Sequence, residues 1–208
     1  MLGIVIPTIA GRERSLTRCL DAYTATTRHF PGGTHLQVVS DAPTCGIAWD
    51  VGAGMLPPVT HIAFAADDLE PQLGWWQPLL EAVEMGLCPT AIVLNADGSL
   101  QSAGMSGGHF RQTMPDDWAT VEHTLTPFLT WEMWEQVRPI PHDLHYCTDW
   151  WICARLGVPA VVRTRSRIVH HDHPVGRGAG MEIHARNRHD RALFQRHLAE
   201  MQPMGATA

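Results

Sequence analysis

Short apolar runs alternate with helix-patterned stretches through the first half of the chain, and no other feature narrows the possible folds as much. Leu2 to Ile6 reads as a strand closed by Pro7, followed by a helix from about Glu13 to Phe30 with Leu16, Cys19, Leu20 and Tyr23 spaced for one buried face. Leu36 to Ser40 reads as the second strand, Gly46 to Met55 as a short helix and His61 to Ala66 as the third strand. The pattern then predicts a helix over Gln72 to Met85 and a strand over Ala91 to Leu94. Asn95-Ala96-Asp97-Gly98 carries the Asp-Gly signature of a tight hairpin, with Ser99 to Ser102 returning. Such alternation predicts an α/β, Rossmann-like fold: a mostly parallel central sheet, helices on both faces, and ligand sites at the carboxyl ends of the strands. Asp41 and Asp67-Asp68 fall at two such ends.

The second half is less regular. Gly104 to Thr126 reads as one long loop, and a loop of that length inside a compact domain tends to be functional. Trp131 to Val137 reads as a short helix stopped by Pro139 and Pro141, and Tyr146 to Leu156 contains another, with Thr148 or Asp149 at its start and Gly157 past its end. Val158 to Arg163 and Arg165 to Val169 are strand-like, and a polar helix from about Glu182 to Met201 closes the pattern.

With 208 residues, 45% of them hydrophobic, the chain has enough material for one domain with a full core and needs no second. No stretch is long and apolar enough to span a bilayer, and Met1 to Pro7 lacks the basic start of a signal peptide, so the expected compartment is cytoplasmic, without membrane insertion. Cys19, Cys45, Cys88, Cys147 and Cys153 are scattered and contain no CxxC, which indicates buried thiols and neither a disulfide framework nor a cysteine zinc site. The net charge of −6 divides unevenly: residues 1–154 carry −11 and residues 155–208 carry +5. A basic tail suits phosphates or a polyanion, and equally a solvated helix face.

Asp67-Asp68 stands directly behind the third apolar run. Adjacent carboxylates repel, so holding both ionised requires a counter-charge, for which a hard divalent cation with oxygen ligands is suited. The competing reading is that one of them N-caps the Gln72–Met85 helix. Asp149 has the same two readings, helix cap or functional carboxylate.

The order of these features resembles the GT-A glycosyltransferases of the inverting, family-two type, especially rhamnosyltransferase-like members, across roughly residues 2–175. Ile4-Val5-Ile6-Pro7-Thr8 with Arg12 is similar to the family's first strand and nucleotide-contacting turn. Val38-Val39-Ser40-Asp41 is similar to its second strand, whose terminal Asp reads the donor base. Gly46-Ile47-Ala48-Trp49-Asp50-Val51-Gly52 stands where the family has Gly-x-x-x-Asn-x-Gly, with Asp50 replacing the Asn. Ala66-Asp67-Asp68-Leu69-Glu70-Pro71 followed by Gly74-Trp75 resembles the metal motif, a DXD-like cluster in which Ala66 replaces a common first Asp. Asn95-Ala96-Asp97-Gly98-Ser99-Leu100-Gln101-Ser102-Ala103-Gly104 is similar to the Asn-x-Asp-Gly-x-x-Gln-x-x-Gly hairpin. Cys147-Thr148-Asp149 occupies the place of the pair whose Asp is general base, and Ile168-Val169-His170 that of the strand ending in a metal-binding His.

The resemblance implies a metal-dependent hexosyltransferase that moves a sugar from a nucleoside-diphosphate sugar to a hydroxyl acceptor. Residues 1–103 form its donor half, 104–181 its acceptor and catalytic half, and 182–208 a C-terminal helix. Asp68 and His170 are the expected ligands of Mn²⁺ or Mg²⁺, consistent with mixed oxygen and imidazole ligation. Pro7, Thr8, Arg12, Asp41, Asp50, Asp67 and Arg177 are the expected donor contacts, and Asp149 the base that deprotonates the acceptor. Trp75, Trp150 and Trp151 come from tandem pairs that offer an indole for sugar stacking. Three rival readings are a zinc hydrolase built on His170-His171-Asp172-His173, a non-catalytic nucleotide-sugar-binding module, and a transferase acting on hydroxymethylated DNA bases. Neighbouring histidines on a strand point to opposite faces, which limits the first. The acceptor, whether glycan, protein, small molecule or DNA, depends on variable loops and is not readable from sequence.

Overall fold

The computed structural model describes residues 1–106, 109–171 and 180–201. The chain begins β1 (Leu2–Thr8), α1 (Glu13–Thr27), β2 (Thr34–Ser40), α2 (Cys45–Met55) and β3 (His61–Phe64). β1 pairs in parallel with β2 on one side and β3 on the other, and β10 (Phe128–Thr130) closes the far edge antiparallel to β3. Pro7 lies inside β1 and does not end it. The Val5 carbonyl accepts from Ala65 N–H and the Thr8 carbonyl from Asp41 N–H, so Pro7, in step with Val5, faces the side where β3 has already stopped and its missing N–H costs no ladder bond. α2 packs close on this sheet because Gly52 has no Cβ, which would collide with Val5 and Val39.

A second sheet runs β4 (Leu69–Pro71), β11 (Ala160–His170), β5 (Cys88–Asn95) and β6 (Leu100–Ser102). Here only β5 and β11 are parallel; β4 and β6 pair antiparallel, the latter through the predicted Asn95–Gly98 hairpin. The two predicted strand pieces either side of Thr164 are one strand with a register shift between Arg163 and Arg167. The predicted helix from Gln72 starts instead at Gln77: Gln72 N–H donates to the Arg167 carbonyl as an extension of the β4 ladder, and Gly74 takes φ 83 before α3 (Gln77–Glu84) begins. Asp67 and Asp68 therefore link two strands, and the helix-capping reading is overturned.

Gly104–Thr126 is not a structureless loop. It contains β7 (Met105–Ser106), β8 (His109–Phe110) and β9 (Trp118–Val121), the last antiparallel to the first part of β11. A buried threonine clasp joins the sheets: Thr126 N–H donates to Thr90 Oγ1 at 3.2 Å and Ala91 N–H to Thr126 Oγ1 at 3.2 Å. α4 (Trp131–Val137), α5 (Thr148–Leu156) and α6 (Gly180–Met201) complete the order. Trp75 and Trp76 pack beside Tyr23, Phe30 and Leu79 in one core, while Trp134, Trp150, Trp151 and Phe194 belong to the other.

Candidate active site

The carboxyl ends of β1 and β3 and the start of α2 enclose a cavity of about 280 Å³. Pro7, Thr8 and Arg12 wall one side, Ala48 and Trp49 of α2 another, and Phe64 to Asp67 a third, with His145 also bordering it. Thr44 opens α2 by accepting the Ile47 N–H on its hydroxyl at 3.2 Å, which fixes the helix against the cavity. Asp41 follows β2 with φ 55; its N–H donates to the Thr8 carbonyl and its Oδ1 accepts from Ala10 N–H, both at 2.9 Å. It thereby shapes the turn after β1, while its neighbour Ala42 reaches the cavity wall.

Asp67 is 1% exposed and fully engaged. Thr8 donates to its Oδ2 at 2.6 Å, and Arg12 Nη2 lies 2.9 Å from its Oδ1. The same Nη2 donates to Asp68 Oδ2 at 2.6 Å, so one guanidinium nitrogen straddles the pair. β11 delivers His170 to the other side of Asp68, with Nε2 at 3.4 Å from Oδ2. Burial pushes the Asp68 carboxyl up, but the hydrogen bonds and charges of His170 and Arg12 together outweigh it and hold the group below the usual carboxylate range. Cys19, which donates to the Ala66 carbonyl, is pushed up to about 12 by burial and then by Asp67 and Asp68, so no thiolate competes here.

These contacts test whether a cation fits. The Gln101 Oε1 can only accept, so His170 Nδ1 donates to it at 3.0 Å and Nε2 is turned toward Asp68. A proton or a cation must then lie between an imidazole lone pair and a carboxylate. The donor set, one carboxylate oxygen and one imidazole nitrogen, suits a hard or borderline divalent ion. Among the described residues no group of three or more His, Cys, Asp or Glu side chains is arranged to hold a metal ion. The His171 side chain pairs with Glu70 at 2.8 Å, while its backbone N–H donates to the Asp68 carbonyl at 3.0 Å. His173 and Arg177 lie outside the described residues.

Asp149 sits in the first turn of α5, 8% exposed, with Oδ1 accepting from Trp150 N–H at 2.9 Å. It is not the N-cap; Cys147 occupies that position. Burial, then the neighbouring Cys153, raises its carboxyl well above the usual value. The residue that prepares this helix is one that sequence reading missed. Asp190 of α6, 3% exposed, accepts N–H bonds from His145, Tyr146 and Cys147 at 2.8, 2.7 and 2.6 Å. Its only signal in the sequence is an isolated acid in a basic stretch.

Four expected contacts are corrected. Asp50 turns to His142 at 3.6 Å and Arg138 at 4.0 Å and is not a wall of the cavity. Trp75 is 2% exposed and meets Tyr23 edge-on at 5.4 Å. Trp150 stacks on His123 at 4.4 Å beneath the Arg191 guanidinium, and Trp151 donates to the Val137 carbonyl. All three indoles pack in the core because each has an internal partner for its face or its N–H. Trp49, stacked on Phe64 at 4.6 Å, is the indole that reaches the cavity.

No family profile matches the chain, and no curated protein sequence does. Folds carry the likeness. GalNAc-T7, in a crystal structure with UDP, GalNAc and Mn²⁺, matches with a TM-score of 0.62 over 83% of this chain and 44% of its own, at 12% identity. A197 from STIV matches with 0.59 over 79% of this chain and 82% of its own, at 12% identity. S. aureus TarS gives 0.53 over 83% and 37%, at 11% identity. The chain thus spans less than half the length of GalNAc-T7 and of TarS. What these matches define is the fold, the α/β GT-A glycosyltransferase fold.

Proposed function

We propose that the chain is a nucleotide-sugar glycosyltransferase, metal-dependent and inverting, that moves a sugar from a nucleoside-diphosphate sugar to a hydroxyl acceptor. The observation that carries this reading is the Arg12, Asp67, Asp68 and His170 group beside a nucleoside-sized cavity at the carboxyl ends of β1 and β3. The UDP and Mn²⁺ of the GalNAc-T7 structure agree with it. The rhamnosyltransferase-like subtype rests on the order of motifs alone.

In this reading Pro7, Thr8 and Trp49 enclose the nucleoside, and Asp41 holds the turn that borders it. Asp68 and His170 hold Mn²⁺ or Mg²⁺, which when bound supplies charge neutralisation at the leaving diphosphate. Asp149 takes the proton of the acceptor hydroxyl as that oxygen bonds to the anomeric carbon and the bond to the diphosphate oxygen breaks, inverting the centre. Its burial supports the role, because a desolvated carboxylate is a stronger base. The test is a screen of nucleoside diphosphates for thermal stabilisation with Mn²⁺ and with excess chelator. Stabilisation should need the cation and vanish in Asp68→Ala. Full stabilisation under chelator refutes metal dependence, and a product that retains the donor's anomeric configuration refutes single displacement.

A further inference from the structure

We propose that Arg12 is the resident counter-cation of the Asp67-Asp68 pair and trades places with a divalent cation, leaving Asp68 for the diphosphate of an incoming donor. The inference rests on the donor reading above and adds a coupling between cation and donor that the reading alone does not contain.

Two carboxylates on consecutive residues in a largely dry site need positive charge at all times. Arg12 supplies it now, since a single Nη2 reaches Asp67 Oδ1 at 2.9 Å and Asp68 Oδ2 at 2.6 Å. Asp67 is locked further by the Thr8 hydroxyl, so it stays with the arginine. Asp68 Oδ2 is contested, with Arg12 on one side and His170 Nε2 at 3.4 Å on the other. A divalent ion drawn to Asp68 and His170 would sit within a few ångströms of the guanidinium, and like charges at that range repel strongly in a partly buried site. One of the two cations must give way.

Arg12 is built to do so. It stands just before α1 and walls the cavity with its side chain 20% exposed. Its Nε–H is buried and, among the described residues, finds no acceptor. The present pose therefore leaves one donor of the fork unmet, and a phosphate oxygen in the cavity would meet it. Linkage makes the effect reciprocal: the cation loosens Arg12 from Asp68, and a diphosphate that recruits Arg12 clears Asp68 for the cation.

The experiment titrates Mn²⁺ alone into the nucleotide-free protein, reading free Mn²⁺ by electron paramagnetic resonance, for wild type, Arg12→Gln and Arg12→Lys. It then repeats the titration with saturating UDP, GDP or TDP. Arg12→Gln should bind Mn²⁺ alone about tenfold or more tighter than wild type. Its melting temperature without metal should fall, and Mn²⁺ should restore more of it than in wild type. Nucleoside diphosphate should raise Mn²⁺ affinity more in wild type than in the variant. If Arg12→Gln does not fold, Arg12→Lys carries the test, with Mn²⁺ affinity above wild type. Mn²⁺ binding unchanged or weaker in the folded variants overturns the exchange. If no diphosphate binds wild type while the Mn²⁺ arm behaves as stated, the donor reading fails and the counter-cation role stands.

Discussion

Asp149 is the residue whose environment makes the sharpest demands. Desolvation raises its carboxyl well above the ordinary value, so the folded protein holds a proton over a pH window in which the unfolded chain has lost it. Asp149's contribution to stability is therefore most favourable below the unfolded carboxyl range, about pH 4, and is lost as pH rises toward the raised folded pKa. Asp149→Asn removes the titrating group while keeping an acceptor for Trp150 N–H. The expected outcome is a variant whose melting temperature matches wild type near pH 4, exceeds it at pH 7 to 8 and falls less between them. If Asp149 is also the base, the variant keeps its affinity for nucleoside diphosphate and loses turnover by about 100-fold or more. Scanning calorimetry across pH checks the first expectation and single-turnover kinetics the second. An enzyme that gains stability when a buried acid is neutralised, and loses rate, holds that acid for its chemistry.

At the scale of elements, α6 stands out, because it is a strap and not a solvated tail. Asp190 collects the N–H groups of residues 145 to 147, Arg196 and His197 both reach Asp143 at 2.7 Å, and Arg191 and Phe194 lie on Trp150. These contacts fix the segment that leads into α5 and Asp149. Asp190→Ala would leave three backbone donors unmet, the buried one of Cys147 and the part-buried ones of His145 and Tyr146, and a cost on the order of 3 kcal/mol follows, with Asp190→Asn losing less. Urea denaturation of both variants measures it, and equal midpoints for wild type and Asp190→Ala would contradict the strap. None of this was readable from a basic helix pattern, since the partners are about 45 positions away in sequence. What was legible is local: β1, α1, β2, α2 and the Asn95–Gly98 hairpin follow from periodicity and turn chemistry. β9 was missed because four residues of which only Val121 is buried become a strand only against β11, and β4 because its ladder to β11 extends through Gln72, where the pattern suggested helix. The acidic pair was legible and its partner Arg12 was known as a motif residue, but no spacing reveals that the two meet. The tandem tryptophans misled because an indole's pattern is the same whether it lines a core or a cleft.

For the whole molecule the open question is the acceptor, and the charge distribution bears on it. The +5 of residues 155–208 would favour a polyanion if it formed one free basic face. In the fold much of it is spent internally: Arg163 and Arg165 share Glu81 Oε2 at 3.1 Å, Arg196 pairs with Asp143, Arg155 donates to the Gln136 carbonyl and Arg191 covers Trp150. Residues 1–103 carry −6 and residues 104–154 carry −5, which a phosphate backbone would meet as repulsion. No helix among the described residues is long and apolar enough to cross a membrane. The expectation is that duplex and single-stranded DNA, with or without hydroxymethylated bases, does not bind at about 50 mM salt in the presence of donor and Mn²⁺, and that transfer to a glycan, protein or small-molecule hydroxyl varies little with ionic strength. Fluorescence anisotropy with labelled oligonucleotides reads the first and a salt series of transfer rates the second. Micromolar DNA binding that weakens steeply with salt, and weakens uniformly across sequences in Arg188→Ala and Arg191→Ala, would reverse the assignment, because counterion release on that scale requires arginines that face solvent phosphates and not their own fold.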